Sequence, residues 1–436
     1  MKVSESMQRI TYGLMGDKRY QYFDSLVENS KFSRKEMETY QGDLIAKLVS
    51  HAYSETAYYK NLLDENGIDP DKIIDRDSLK KIPVLTKHGL RENFQKLQTS
   101  DGFGRTLFEV TSGGSTGNLA VLMKSSFFEE MSRAAMLRHN LLVGWKPSDK
   151  SVWIWGAPYE HQKIEKSIVS RLGLILNRRL LFNAYKYTVE DFPSWVIRIN
   201  SFRPKVLYGY ASIILEFSKY LIANNIQLDT IKIVVSTTEK LLGRATIKKA
   251  FRCKVVDQYG CREIPAIGIE VQEDRMLIAD DLVVLNVDAE NNILLTALHS
   301  YGFPLINYKV GDVGELSKLV ANETSSMYPF TLMRLIIGRE TDNFISSNGA
   351  RVSSSAMSVY ISTLKIPIDS YQIVQLSYTG FNVNYVSENL MSETDELRLS
   401  AILHEYFGEH LDISYAKCPQ IPTEISGKKL LFKRMF

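Results

Sequence analysis

Residues 110–118, VTSGGSTGN, place three glycines and four hydroxyl side chains directly after the apolar run TLFEV. Glycine lets a backbone come close to a phosphate, and N–H and hydroxyl donors suit its oxygens. A Walker-type loop is excluded, because no Gly-Lys-Ser/Thr follows at the required spacing. Gly113-Gly-Ser115-Thr-Gly117 also fits the serine turn G-x-S-x-G, which needs a strand before the serine and a helix straight after it. The strand is there, but NLAVLMKS reads as a second strand, and helical character resumes only around Ser126. His404 or His410 would have to supply the base. The plain alternative is a surface connection, which a lone Ser/Gly-rich loop usually is.

Four further segments follow in the chain: DQYGCRE (257–263), NYKVGD (307–312), IGRETD (337–342) and IPTEISGK (421–428). Taken singly each has a bland reading. YGxxE is usually a turn entering a helix, Gly-Asp a β-turn, and Gly-Lys near a C-terminus a solvated tail. Taken together with VTSGGSTG, in this order, they resemble the adenylate-forming superfamily of acyl-CoA synthetases, peptide-synthetase adenylation domains and luciferases. Within it the likeness is to the phenylacetate-CoA ligase branch, which includes capsular-polysaccharide biosynthesis proteins. LVSHAYSETAYYKNLL and IPVLTKHGLRENF look like the lead-in of that branch, so the resemblance covers nearly the whole chain.

The resemblance implies an ATP-dependent, AMP-forming ligase. It activates a small carboxylic acid as an acyl-adenylate and passes it to CoA, a carrier protein, or an amine or sugar acceptor, with a role in capsule or surface polysaccharide synthesis among the expectations. Catalysis of that kind rests on positioning and charge neutralisation. Carried over position by position, Ser115, Thr116 and Gly117 grip the triphosphate. Tyr259 and Gly260 flank the adenine, and Glu239 and Asp257 join the nucleotide-binding set. Glu263 ligates Mg2+, a hard cation suited to carboxylate and phosphate oxygens. Asp312 receives the ribose hydroxyls, and Arg339 faces the ribose or phosphate. Lys428 bridges the α-phosphate and the substrate carboxylate. Thr116, Glu263 and Lys428 are the expected catalytic residues. Asp342 matches the hinge about which a small C-terminal domain rotates between two poses, and Gly349 the glycine lining the pantetheine tunnel.

The sequence departs from the pattern in places. Gly113 stands where a hydroxyl residue is usual. Leu119 and Ala120 replace the lysine that often follows the loop, leaving Lys124 as the nearest cation. Asn307 stands where an arginine usually precedes Asp312. The alternative that these departures suggest is a nucleotide-binding or scaffolding member of the fold with weakened catalysis.

The elements that must hold these residues are legible in outline. Residues 1–100 read as a mostly helical lead-in. From 105 to 260 strand-like runs (SVWIWGAP, RPKVLYGYAS, IKIVVSTTE, CKVVDQYG) alternate with helical ones, which implies βαβ units. Residues 265–340 are richer in strand. The expected fold class is α/β: a large N-terminal domain of mainly parallel sheets flanked by helices (1–341), with a small mobile C-terminal α+β domain (343–436). Ligands gather at the carboxyl ends of such strands. An acyl pocket is expected between 153–162, 207–213 and 236–240, lined by Trp153, Trp155, Tyr159, Tyr208 and Tyr210. Glu239 and His161 hint at a polar or amine-bearing acid.

Composition narrows the classes. The chain has 436 residues, 44% hydrophobic and 24% charged, with a net charge of +3, which suits a globular protein and gives no basic track for nucleic acid. Three dispersed cysteines (Cys253, Cys261, Cys418) form neither a disulfide framework nor a zinc set. No run reaches the roughly 20 apolar residues of a transmembrane helix. SIVSRLGLILNRRLLF comes nearest and is broken by arginines. The N-terminus lacks the apolar core of a signal peptide. A cytoplasmic location is expected, with a homodimer an open expectation.

Overall fold

A computed structural model describes all residues except 1–3, 100–105, 113–119, 157–167, 185, 240, 262, 318–327, 338–343, 348, 350, 353 and 422–429. The lead-in is helical as expected: α1 (Glu5–Leu14), α2 (Arg19–Asn29), α3 (Arg34–Glu55), α4 (Ala57–Glu65), α5 (Arg76–Leu79), α6 (Lys87–Glu92) and α7 (Phe94–Leu97). A capping box starts α3: the Ser33 hydroxyl accepts from Glu36 N, and the Glu36 carboxylate accepts from Ser33 N.

Strands β1 (Leu107–Ser112) and β2 (Ala120–Ser125) form an antiparallel hairpin around the glycine loop, with Ser112 opposite Ala120. Helix α8 (Ser126–Leu142) begins only after β2, with Ser125 as its cap. A hairpin flanking the loop removes the strand–turn–helix geometry of a nucleophile elbow. The loop itself, with Ser115, Thr116 and Gly117, lies outside the described residues.

The rest of the large part alternates strand and helix. It contains β3 (Ser151–Trp155), α9 (Ile168–Leu176), β4 (Arg179–Asn183), β5 (Lys186–Tyr187), α10 (Phe192–Phe202), β6 (Val206–Tyr210), α11 (Ala211–Ala223), β7 (Ile233–Thr237), α12 (Arg244–Phe251) and β8 (Lys254–Tyr259). Strands β9 (Gly268–Gln272), β10 (Arg275–Ile278), β11 (Val283–Val287), β12 (Asn292–Ala297), β13 (Tyr308–Ser317) and β14 (Leu332–Ile337) follow, with no helix between them among the described residues. Among the described residues they form one eleven-stranded sheet, ordered β11-β12-β13-β14-β10-β9-β8-β7-β6-β3-β4. The fold class is α/β, but the sheet is mixed. The five strands β4, β3, β6, β7 and β8 run parallel, as their βαβ links require. From β9 onward neighbours pair antiparallel.

Helices α10, α11 and α12 cover one face of the parallel half, burying Ile154, Leu207, Phe217 and Ile247. The lead-in helices and α8 cover the antiparallel half. Phe128, Met131 and Ala135 of α8 fall on one face at three- and four-residue spacing and join Ile45, Leu48, Leu285 and Leu295 in the largest core. Arg138 lies on that buried face. Its guanidinium donates to Asp281 Oδ1 at 2.7 Å and to the Leu26 carbonyl at 3.1 Å, and Asn29 also donates to Asp281. Both ionic side chains are fully buried.

Residues 344–434 form a separate core around Phe344, Ile373, Leu403 and Phe432. Here β15 (Phe344–Ile345) and β16 (Arg351–Val352) precede α13 (Ser354–Thr363). Strands β17 (Ser370–Gln375), β18 (Gly380–Val386), β19 (Asp412–Lys417) and β20 (Phe432–Arg434) make a sheet ordered β19-β18-β17-β20, with α14 (Glu393–Phe407) between β18 and β19. This part meets the larger one where β16 pairs with β5, where Arg91 bonds Asp369 at 2.7 Å, and where Lys365 pairs with Glu109.

A buried ion pair that loses one member leaves an uncompensated charge. Arg138→Met is therefore expected to lower the unfolding free energy by about 3–5 kcal/mol, with Asp281→Leu added to it recovering much of the loss. Urea unfolding of the two variants checks this.

Candidate functional site

The carboxyl ends of the parallel strands bring together Trp155, Tyr210, Thr237 and Tyr259, with Glu239 and Glu263 in the turns just beyond. Strand β13 enters from the antiparallel half and supplies Tyr308 and Asp312. The two segments are cross-linked twice. The Tyr259 hydroxyl donates to Asp312 Oδ2 at 2.9 Å, and the Tyr308 hydroxyl donates to Glu263 Oε1 at 2.9 Å. All four residues are buried. Sequence reasoning selected three of them; Tyr308 was quoted within its motif without a role.

Glu263 sits where burial alone raises a carboxyl pKa. The Lys87 charge, the backbone N–H of Glu263, the Tyr308 hydroxyl and the Cys261 thiol outweigh burial and hold it below the usual carboxylate range. It is therefore ionised at neutral pH. The Cys261 thiol beside it is pushed up by burial and by the Glu263 charge, which keeps it protonated. Gly260 has a steric reason: a Cβ there would lie 2.3 Å from the Pro265 carbonyl oxygen, so only glycine lets this loop fold back on itself.

Lys87 is the residue that sequence reasoning missed. It is buried, at the first position of α6. Leu85 pairs with Tyr308, its N–H donating to the Asn307 carbonyl at 3.1 Å and its carbonyl accepting from Lys309 N at 3.0 Å. That short pairing carries Lys87 toward the carboxylate which Tyr308 holds. A signal was present: a lysine at a helix N-terminus opposes the helix dipole and needs an anion to be stable there.

Asn307 explains its own departure from the pattern. It is buried with φ 49°, a left-handed conformation that asparagine tolerates. Its Nδ2 donates to the carbonyls of Leu79 and Ile82 at 2.6 and 2.9 Å. The position ties the lead-in to the sheet instead of supplying a cation. Lys124 is likewise committed, buried and 3.3 Å from Glu129.

Glu239 is buried and accepts from Ser212 N at 2.9 Å, closing the start of α11. Beside it Thr238, a β-branched residue, is held at φ 70°, a strained conformation of the kind that collects at functional sites. Asp257 lies in the same stretch of sheet. Burial and the neighbouring Glu270 charge push its pKa up to about 8, against the pull of Ser236 and Arg244. Arg244 itself bonds Glu270 through both terminal nitrogens at 2.9 and 2.7 Å. Gly349 sits in the turn between β15 and β16 at φ +79°. Arg339, Asp342 and Lys428 lie outside the described residues, as do Tyr159 and His161.

The described residues hold no group of three or more His, Cys, Asp or Glu that would cage a metal by itself. Mg2+ needs no such cage, since it takes one or two carboxylates together with phosphate oxygens. A single ionised Glu263 fits that donor set.

Residues 344–434 match the CapK C-terminal domain. The chain is 25% identical over 405 residues to protein CapK of Staphylococcus aureus, covering 89% of this chain and 87% of that one. It is 22% identical over 378 residues to phenylacetate-coenzyme A ligase of Thermus thermophilus, covering 78% of each. Among solved structures, 2-hydroxyisobutyryl-CoA ligase in complex with 2-HIB-AMP and CoA in the thioesterification state superposes with a TM-score of 0.58 at 16% identity, over 93% of this chain and 91% of that one. The open conformation of that ligase gives a TM-score of 0.56. The fold and these relatives support a place in the adenylate-forming superfamily. Within that superfamily the similarity is to the phenylacetate-CoA-ligase-like branch that includes CapK.

Because the Glu263 carboxyl is held below its unfolded pKa, its contribution to stability is present above the ordinary carboxylate range and lost as pH falls through the folded value. Lys87→Met removes the main opposing charge. It is expected to cost about 1–3 kcal/mol at pH 7 and less at pH 4, because the Glu263 carboxyl, no longer held down by Lys87, takes up a proton more readily in the variant. Urea unfolding at the two pH values measures the difference.

Proposed function

We propose that this AMP-forming acid ligase binds ATP across the crossed Tyr259–Asp312 and Tyr308–Glu263 pairs and uses it to activate a small carboxylic acid. The observation that carries the reading is this arrangement itself: two buried carboxylates fixed by tyrosine hydroxyls at the carboxyl ends of the parallel strands, one of them held ionised. Adenine is placed beside Tyr259 and Gly260. Asp312, bonded to the Tyr259 hydroxyl, accepts from the ribose hydroxyls. Ser115, Thr116 and Gly117, in the segment that links β1 to β2, donate to the triphosphate, with Glu239 and Asp257 as the neighbouring nucleotide-binding residues. Glu263 would hold Mg2+, which supplies charge neutralisation at the phosphates.

In the reaction a carboxylate oxygen of the acid attacks the α-phosphorus of ATP. The bond from that phosphorus to the bridging oxygen breaks, and pyrophosphate leaves with its electron pair. Lys428 and Arg339 stand against the negative charge that grows on the α-phosphate, and Lys87 adds a cation from the lead-in. The acyl-adenylate then meets a nucleophile, which attacks its carbonyl carbon and expels AMP. CoA is the acceptor this reading prefers, and the 2-hydroxyisobutyryl-CoA ligase complex named above contains AMP-ester and CoA together. A carrier thiol, or an amine or sugar in surface-polysaccharide synthesis, fits the same chemistry. The segment 343–436 is proposed to turn about Asp342 between the two steps, so that Lys428 serves the first and leaves for the second. That movement has to break the β5–β16 pairing and the Arg91–Asp369 and Lys365–Glu109 pairs.

The test is ATP–pyrophosphate exchange across a panel of carboxylic and amino acids. One acid at least is expected to support exchange, and Lys428→Ala to reduce it by roughly a hundredfold or more while ATP binding persists. No exchange with any acid, together with no ATP binding, would reject the ligase.

A further inference from the structure

A cavity of about 610 Å3 lies under the face of the sheet opposite α10, α11 and α12. The inference rests on the ligase reading. Gly156, at the carboxyl end of β3, and Pro265, two residues past Glu263, mark the end of the cavity near the site. Trp153, Trp155 and Tyr208 form an aromatic wall, Trp153 and Tyr208 standing opposite each other on β3 and β6. The lining continues to Arg179, whose β4 partner position is Ser151 at the amino end of β3. Four strand steps separate that level from Trp155, roughly 13 Å. A chain lying along the wall would therefore have its reacting end near Glu263 and its far end near Arg179.

Three arginines line this cavity: Arg19, Arg133 and Arg179. Arg19 pairs with Asp17, and Arg133 with Glu129. Arg179 differs. Its guanidinium lies over the Trp153 ring, 3.9 Å from the centroid, and among the described residues no carboxylate pairs with it and no acceptor receives its N–H groups. Burial lowers its pKa to about 10, with the Arg19 and Arg133 charges adding to the fall, so it stays cationic at neutral pH. The half-buried guanidinium turns its donors to the cavity, and among the described residues no protein anion meets them; a ligand anion would fill that place. A carboxylate is its best-matched partner, because the planar fork receives both oxygens at once. The same three cations repel an ammonium group. Glu239, which suggested an amine-bearing acid, is engaged with Ser212 N and does not line the cavity.

We propose that the acid activated by this protein carries a second carboxylate at its far end, and that Arg179 receives it at the inner end of the cavity. Arg179 is then the residue that sets substrate class, with Trp153, Trp155 and Tyr208 measuring the span between the two charged ends.

The test compares glutarate, adipate, pimelate and suberate with the monocarboxylates of the same carbon number, with phenylacetate and with 6-aminohexanoate, in ATP–pyrophosphate exchange and in calorimetric titration. A diacid is expected to exceed its matched monoacid by roughly tenfold or more in kcat/KM. Arg179→Gln is expected to lower that value for the diacid by roughly ten- to hundredfold, through KM, and to leave the monoacid within about twofold. Arg179→Lys, which keeps the charge, recovers part of the preference and shows that the loss is not one of folding. Monoacids or 6-aminohexanoate exchanging better than every diacid would overturn the proposal and leave the ligase standing. So would an equal loss for both classes in Arg179→Gln, or the absence of any diacid binding. Only the failure of every acid together with the loss of ATP binding would strike the ligase reading itself.

Discussion

Two hydroxyl-to-carboxylate bonds, Tyr259 to Asp312 and Tyr308 to Glu263, hold the centre of this protein together. They cross: in each segment the tyrosine and the carboxylate are four residues apart, and each tyrosine serves the carboxylate of the other segment. A buried carboxylate without donors is costly. The fold has to bring the end of the parallel half, at β8, against the antiparallel strand β13 for either acid to be tolerated. Much else answers to that need. Asn307 takes a left-handed turn and grips the lead-in at Leu79 and Ile82. Leu85 then pairs at Tyr308, and Lys87 arrives at Glu263. The lead-in thus does structural and electrostatic service for a site that lies two hundred residues further along.

The outline of this arrangement was legible in the sequence, because period and order are local properties. The β1–β2 hairpin, the helix starting at Ser126 and the strand–helix alternation from 151 to 259 all follow from short-range patterning. So did the candidacy of Tyr259, Glu263 and Asp312, through motifs whose order was informative where each alone was not. What escaped depends on distant partners. The switch from parallel to antiparallel pairing at β9, with β10 lying between β9 and β14, is set by which neighbour completes the core. Asn307 read as a missing cation, and only its contacts reveal an anchor. Arg138 and Asp281, 143 positions apart, carry no local mark of their pairing. Arg179 read as one of the arginines interrupting an apolar run, while its place under Trp153 is a matter of the register between β3 and β4.

The C-terminal part contributes a core of its own and a polar contact with the rest. Arg91–Asp369 and Lys365–Glu109 are partly exposed pairs, each worth little by itself in water. Weak, screened contacts of this sort suit a surface that has to be made and broken, whereas the Arg138–Asp281 pair within the large part is dry and permanent. The movement proposed for the small part has to break these pairs and the β5–β16 pairing, and leaves the Arg138–Asp281 pair untouched.

The most direct measurement is a crystal structure of the protein grown with ATP and Mg2+. Adenine beside Tyr259 and Gly260, ribose hydroxyls on Asp312 and a metal ion within reach of Glu263 are the expected result. A nucleotide bound elsewhere, with Asp312 and Glu263 still closed on their tyrosines and facing no ligand, would contradict the central role given to the crossed pairs.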